Sequence, residues 1–330
     1  MDGGMKGKES GGFSRRHFSG PAVLQNLIGV GTLTLLSLWV HRQMTILLVM
    51  SLFWLTSPAC CADLKEVKAK GVLRHLGIRY ANFVTGSGDG LDVEMVRLFA
   101  KSLSVRYEFV ETTWDDVFSD LSGRKVRPSG HGFEVVGNAL IKGDIAASGL
   151  TILPWRTKLV NFSTPTLPNQ VWLVARADAG LKPIVPSGSV EQDVEAVRSQ
   201  LRGVRVLGIF DTCLDPRYYT LDRAQADVRK FDGSVNELVP AVIEGRAECA
   251  LQDVPDALAS MDKWPGKIKV IGPVSSMQRM GYAFSRTSPE LREAFDKFFE
   301  QCKKDGTYIG IVRKYYPAIP KYYPEFFSQE

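Results

Sequence analysis

The chain has 330 residues, long enough for two domains of common size, and a 45% hydrophobic content that supports packed cores. Residues 1–62 carry +3 of the formal +5 charge, through Lys6, Lys8, Arg15, Arg16 and Arg42 against Asp2 and Glu9, which leaves 36 basic against 34 acidic residues in the rest. So balanced a body lacks the concentrated basic face that nucleic acid requires, and nucleic acid is set aside as a partner.

The N-terminal region holds two apolar stretches, residues 23–40 and 46–55, separated by His41-Arg42-Gln43 and ending in Ser57-Pro58-Ala59-Cys60-Cys61-Ala62. Small residues at that end resemble a signal-peptidase site, and the second stretch has the length of a signal-peptide core. Translation from near Val40 or Met44 gives a short basic leader. Alternatively, Ser14-Arg15-Arg16-His17-Phe18 resembles a twin-arginine export motif within a longer leader. A membrane hairpin anchor is the third reading, and all three place the body outside the cytoplasm, in the periplasm. Pro58 fits a lipidation box poorly, which makes Cys60 and Cys61 weak lipoprotein signals.

From Asp63 onward, short β-like runs alternate with amphipathic helices, which predicts an α/β sheet architecture. Residues 73–78 read as a strand. After the turn Gly86-Ser87-Gly88-Asp89-Gly90, a helix presents Val96, Phe99, Ala100 and Leu103 at i, i+3, i+4 and i+7. Val105, Tyr107 and Phe109 alternate with Arg106 and Glu108, the pattern of a strand with one buried face. Trp114, Val117, Phe118 and Leu121 repeat the helical spacing, and Gly123 stops it. A polar insertion over residues 124–137 precedes a short strand at 144–147. Residues 171–175 are apolar throughout and predict a segment crossing between domains, and the Gly/Pro/Ser-rich residues 180–188 predict a linker or domain edge.

The same grammar then repeats. Residues 204–210 read as a strand, and Ser234-Val235-Asn236-Glu237 as a capping box opening a helix in which Pro240 predicts a local bend. Gly245 ends it before a strand at 248–252. After an apolar run at 281–285, Ser288-Pro289 opens a helix with Leu291, Ala294, Phe295 and Phe298 as its buried stripe. The body keeps Cys213, Cys249 and Cys302, of which Cys213 with Cys249 is the pairing to test as a disulfide. With no Cys-x-x-Cys and only His75 and His131 in the body, neither a zinc site nor any other metal or cofactor is expected.

The order of Leu73-Arg74 to Phe83, Gly90-Leu91-Asp92-Val93, Gly143-Asp144-Ile145-Ala146, Thr151 to Arg156, Asn161-Phe162-Ser163, Gly245-Arg246-Ala247-Glu248 and Asp305-Gly306-Thr307-Tyr308 resembles family 3 solute-binding proteins of ABC importers, across residues 63–318. The resemblance implies a two-lobed periplasmic-binding-protein fold of type II, with two crossing strands as hinge. After a leader over residues 1–62, it implies a first lobe from 63–170 plus 280–330 and a second from 171–279. It further implies a monomer that captures a small charged metabolite, in most members an amino acid, and docks on the permease subunits of an importer.

A ligand site follows residue by residue from the same resemblance. Arg156 falls at the position of the ligand-carboxylate arginine, and a planar guanidinium grips a carboxylate with two parallel hydrogen bonds. Spacing alone makes Arg156 a surface ion pair. Thr151 and the backbone around Gly149 complete the cradle. Asp253 stands at a strand's carboxyl end, where an acid takes the ligand's amino group; its alternative reading is a helix N-cap before Val254-Pro255. Thr212 offers hydroxyl and amide from the second lobe, although Asp211 ahead of it and Cys213 behind it depart from the family pattern. Tyr80 and Phe83 supply an aromatic floor or lid, with core packing as the alternative for Phe83.

The glycine run at 86–90 lacks the spacing of a phosphate-binding loop, and no Gly-x-Ser-x-Gly elbow appears. Two alternatives remain: a cyclohexadienyl-dehydratase-like enzyme on the same fold, with Glu248 or Asp211 as an inward-facing acid, and a sensory or accessory binding protein read by a separate membrane partner.

Overall fold

The computed structural model describes residues 62–129 and 132–328, all within one compact unit, Ala59–Glu330. The leader, its apolar stretches and the paired cysteines at 60 and 61 lie outside the described residues, as does His131. Among the described residues no helix is long and apolar enough to cross a membrane.

Two five-stranded sheets organise the unit. The first comprises β1 (Val72–Gly77), β2 (Arg106–Glu111), β5 (Ile145–Ala146), β6 (Val160–Phe162) and β14 (Ala283–Ser285) in the order β2-β1-β5-β14-β6. Strands β1, β2 and β5 run parallel, and β14 joins antiparallel to both β5 and β6. The second comprises β8 (Val171–Arg176), β9 (Arg205–Gly208), β10 (Asp227–Lys230), β11 (Cys249–Asp253) and β12 (Ile268–Pro273) in the order β10-β9-β11-β8-β12. Each sheet is the centre of one lobe. Strands β7 (Leu167–Asn169) and β13 (Gln278–Met280) pair antiparallel and carry the chain between them.

Residues 171–175 are therefore not the crossing segment that their unbroken apolar character predicts. They form β8, hydrogen-bonded to β11 on one side and β12 on the other, and a strand with neighbours on both edges and covered faces is apolar throughout. The crossing falls just before it, in Leu167-Pro168-Asn169. Residues 180–188 are a loop along the second sheet, held by the Ile184 amide on the Ile271 carbonyl, and not a linker between lobes.

Local signals explain most helix ends. Helix α1 (Leu64–Lys70) opens on a capping box between Asp63 and Glu66 and stops at Gly71, whose φ is 65°. Helix α2 (Leu91–Ser102) buries Val96, Phe99 and Ala100, and α3 (Val117–Ser122) ends at Gly123 with φ 72°. Trp114 lies before α3, not on its stripe. The insertion after α3 is a hairpin of β3 (Arg124–Ser129) and β4 (Gly132–Asn138), which leaves Val135 and Val136 exposed. Strand β2 lies at the sheet edge, so its predicted buried face is only half covered; Phe109 is 37% exposed, its ring occupying the space beside Gly77.

In the second lobe, α5 (Val190–Arg198) follows the loop after β8, and the predicted capping box at Ser234 forms. It opens a 3-10 turn, Val235–Glu237, and α6 (Leu238–Ile243) begins after it. Pro240 thus sits in the first turn of α6, where a missing N–H costs nothing, and no mid-helix bend is needed. Helix α7 (Val254–Lys263) follows β11 directly. The chain then returns to the first lobe through α8 (Pro289–Lys304), α9 (Thr307–Tyr315), α10 (Ile319–Tyr322) and α11 (Pro324–Phe327). Phe295 and Phe299 of α8 pack beside Phe99 and Tyr308, with ring centroids 5.2 Å apart for Phe99 and Phe295 and 4.8 Å for Phe299 and Tyr308. The helix buries Leu291, Phe295 and Phe299 fully at four-residue spacing, while Ala294 and Phe298 flank them half-buried.

Cys213 and Cys249 are both free and buried, so the expected disulfide is absent. The Cys213 thiol donates to the carboxylate of Asp253, the last residue of β11, whereas Cys249 is the first. Four residues of extended strand separate those positions by about 13 Å, too far for a disulfide.

Candidate functional site

The carboxyl ends of β1, β5 and β11 converge where the two lobes meet. Asp253 ends β11 at the N-cap position of α7, yet its side chain makes no cap bond. It turns instead toward the first lobe, where the Tyr80 hydroxyl donates to it at 2.8 Å. Asn169 of β7 donates at 2.6 Å and the Cys213 thiol at 3.4 Å. Burial raises the pKa of Asp253, against which these three donors and the charge of Arg156 act. The Asp253 carboxylate is thus engaged by three donors drawn from both lobes and the strand between them.

Arg156 lies in the short helix α4 (Pro154–Thr157), which follows the turn after β5, and is 1% exposed. A surface ion pair is thereby excluded. One guanidinium nitrogen donates to the Thr151 carbonyl at 2.9 Å, and Nε has no partner among the described residues. The cation lies 5.1 Å over the Phe118 ring and 5.4 Å from that of Trp155, a setting that favours a delocalised guanidinium. Desolvation lowers its pKa, opposed by the nearby Cys213, Tyr218 and Asp253. A buried guanidinium with an open donor edge is a receptor for an anion.

Thr151 is fully buried, and its hydroxyl accepts from Asn169 at 3.3 Å, so Asn169 joins the Arg156 turn of one lobe to Asp253 of the other. Gly149 has φ 61°, and its amide donates to Asp92 at 2.7 Å. Asp92 also accepts from the Tyr282 hydroxyl, and burial pushes its carboxyl up to about 7. A raised folded pKa means that the protonated acid favours folding, and this contribution fades as pH rises from the ordinary carboxylate range toward 7. We expect urea titrations from about pH 4 to about pH 7 to show stability falling by on the order of 1 kcal/mol per pH unit through this group, and Asp92→Asn to flatten that slope. Equal slopes in the two proteins would remove Asp92 from this role.

Tyr80 is buried, with the Trp114 ring edge-on at 5.7 Å and Phe83 at 5.5 Å. Phe83 packs equally against Tyr316 at 4.9 Å and beneath Gly149, which makes it the floor of the turn and a core residue at once. Thr212 does not present its hydroxyl to Arg156: it donates to the Ile209 carbonyl and accepts from the Leu214 amide, closing its own loop. Cys213 takes its place beside Asp253. The awkward anion Asp211 has φ 65°, is half exposed and is paired with Arg217 at 3.0 Å, so it points away from the cradle. Glu248 likewise turns outward to Arg205 at 2.8 Å.

Sequence reasoning missed Asn169, Trp114 and the second-lobe tyrosines. Tyr219 receives a bond from Gln278, and with Tyr218, Trp155 and Pro154 it lines a small cavity of about 170 Å³ next to the site. The one sequence signal for Asn169 was a polar amide inside an apolar stretch at a domain crossing.

Residues 79–318 match the model of bacterial extracellular solute-binding proteins, family 3. The chain belongs to that family. Among curated relatives, this family 3 protein is 23% identical over 234 residues to membrane-bound lytic murein transglycosylase F of Desulfosudis oleivorans, covering 70% of the chain and 44% of the relative. It thus spans about half the length of the transglycosylases it matches. It is 23% identical to the histidine-binding periplasmic protein of Salmonella typhimurium (69% and 78% covered) and 24% identical to the L-cystine-binding protein TcyA of Bacillus subtilis (76% and 83%). Among solved structures, an ancestral amino acid-binding protein that is a precursor of cyclohexadienyl dehydratase shares 26% identity with a TM-score of 0.59, over 77% of this chain and 100% of that one. An ancestral arginine-binding protein bound to arginine shares 25% at the same TM-score, over 74% and 98%. These relatives fix the two-lobed amino-acid-binding-protein fold for the family 3 chain.

Proposed function

We propose that this protein is an extracytoplasmic solute-binding protein that captures an α-amino acid between its lobes and delivers it to an ABC-type permease. The observation that carries the reading is the single buried cluster in which Asn169 ties the Arg156–Thr151 turn to Asp253. In this reading the α-carboxylate binds Arg156 and the backbone from Gly149 to Thr151. The ammonium displaces Tyr80 or Asn169 from Asp253, and the ligand side chain lies among Tyr80, Trp114, Tyr218 and Tyr219. Two charge-assisted anchors plus aromatic burial supply the roughly 8 kcal/mol of micromolar capture after ordering costs. Closure is supported by Asn236 of the second lobe, which accepts from the Ala81 amide at 2.8 Å and donates to the Arg79 carbonyl at 3.3 Å. The leader, the periplasmic location, the lobe boundaries at 170 and 280, and the permease belong to this proposal.

A second reading is favoured by the likeness to a dehydratase precursor and to transglycosylases: the same cleft as a catalytic or regulatory domain. Asp211 and Glu248, the acids this reading looked to, are engaged by surface arginines, and Asp253 is the acid among the described residues whose charge acts on Arg156. A thermal-shift screen against amino acids, dicarboxylates and prephenate separates the readings, because a ligand that binds only the folded state raises its melting temperature. An amino acid is expected to stabilise the chain; a response to prephenate alone favours the dehydratase, and no response favours partner sensing.

A further inference from the structure

On the opposite face of β11 from Asp253 lies a second concavity, a groove of about 660 Å³ floored by the second lobe and roofed by the loop after β1. Its floor carries Gln252, fully buried, with neither amide oxygen nor amide nitrogen hydrogen-bonded within the described residues. A buried amide left unpaired on both atoms is costly and uncommon, and here it faces a space large enough for a small molecule. Asp256, in the first turn of α7, is 8% exposed and has neither a hydrogen bond nor an ion pair among the described residues. Burial and the neighbouring charge of Asp253 push its carboxyl up to about 7.

The two cations at the rim, Arg79 and Lys263, make their direct contacts elsewhere, although the charge of Lys263 is felt at Asp256. Arg79 is paired with Glu111 at 2.9 Å, and the Lys263 ammonium sits 4.4 Å over the Trp264 ring. The interior therefore offers a carboxylate and an amide oxygen that no donor of the described residues occupies, beside the Ser260 hydroxyl and the apolar side chains of Val235 and Val239. That set asks for a positively charged donor on a short hydrocarbon stem.

We propose that this groove is a second ligand site that takes a small protonated aliphatic amine, its ammonium donating to the Asp256 carboxylate and the Gln252 amide oxygen. Because both lobes line the groove, beside the Asn236 contacts with Arg79 and Ala81, an amine bound there favours lobe closure and tightens the main cleft.

The test is the thermal response of the full chain to putrescine, with 1,4-butanediol as its uncharged counterpart, in the wild type and three variants. Millimolar putrescine is expected to raise the melting temperature and butanediol to leave it unchanged. Asp256→Asn and Gln252→Leu should each weaken the putrescine response by about tenfold or more in concentration, while Arg156→Ala keeps it. Gln252→Leu fills the floor with an apolar side chain of similar size, so the test stands even where Asp256→Asn folds poorly. The proposal is overturned by a wild type that ignores putrescine, by an equal response to butanediol, or by a response that Arg156→Ala loses and the groove variants keep.

Discussion

Arg156→Ala is expected to weaken amino-acid binding by a hundredfold or more, about 3 kcal/mol, measured by titration calorimetry against the stabilising ligand. Removing one member of a buried charged pair leaves the other desolvated without compensation, which is why the loss exceeds that of a surface contact. Arg156→Lys should recover little of it. The guanidinium lies against the Phe118 and Trp155 rings and already spends one nitrogen on the Thr151 carbonyl, so a ligand meets the rest of a planar fork. An ammonium in the same place is a strongly hydrated point charge that cannot serve both partners in that geometry. A tenfold loss or less in the alanine variant would show that the carboxylate binds elsewhere.

The second large effect falls on Gly149. Its backbone has φ 61°, a conformation that costs an L-residue about 1 kcal/mol, and a Cβ built there would lie 2.6 Å from the Phe83 ring. That ring cannot retreat, because Tyr80 and Tyr316 hold it from other sides. Gly149→Ala should therefore cost roughly 2–4 kcal/mol of stability in urea denaturation and weaken the ligand as well, since the same turn presents Thr151 and aims Arg156. A variant within about 0.5 kcal/mol of wild type would mean that the turn relaxes freely and does not anchor the cradle.

These two residues show what the sequence makes legible and where it stops. The family resemblance singles out Arg156, Gly149 and Asp253, since spacing alone makes Arg156 a surface ion pair and leaves Asp253 an N-cap alternative; what the chain itself shows is a strand's carboxyl end and a glycine turn. The helix stops at Gly71 and Gly123 and the capping boxes at Asp63 and Ser234 are equally local, so they form as written. What could not be read depends on contacts distant in sequence. Whether residues 171–175 cross between lobes or lie inside a sheet depends on two neighbours, β11 and β12, that come much later in the chain. The half-exposure of Phe109 follows from β2 being an edge strand, and alternation alone does not distinguish an edge from a centre.

The site shows the same division. Thr212 was assigned by its place after a strand, but its hydroxyl is nearer to its own loop than to the cleft, a competition that Ser and Thr side chains often lose to local backbone. Cys213 stood where a hydroxyl is common in the family and fills the donor role toward Asp253 instead. Burial pushes its thiol pKa upward, so it meets the carboxylate as a neutral donor. Asn169 contacts residues 18 and 84 positions away, and nothing in its own neighbourhood announces that it joins them.

Native mass spectrometry of the full chain, incubated with an equimolar mixture of the twenty amino acids, tests the central claim most directly. The account predicts a single-stoichiometry adduct whose mass identifies one amino acid or a closely related group, and its disappearance in Arg156→Ala. An absent adduct, or one that the variant retains at equal occupancy, would contradict amino-acid capture at the Arg156–Asp253 cleft.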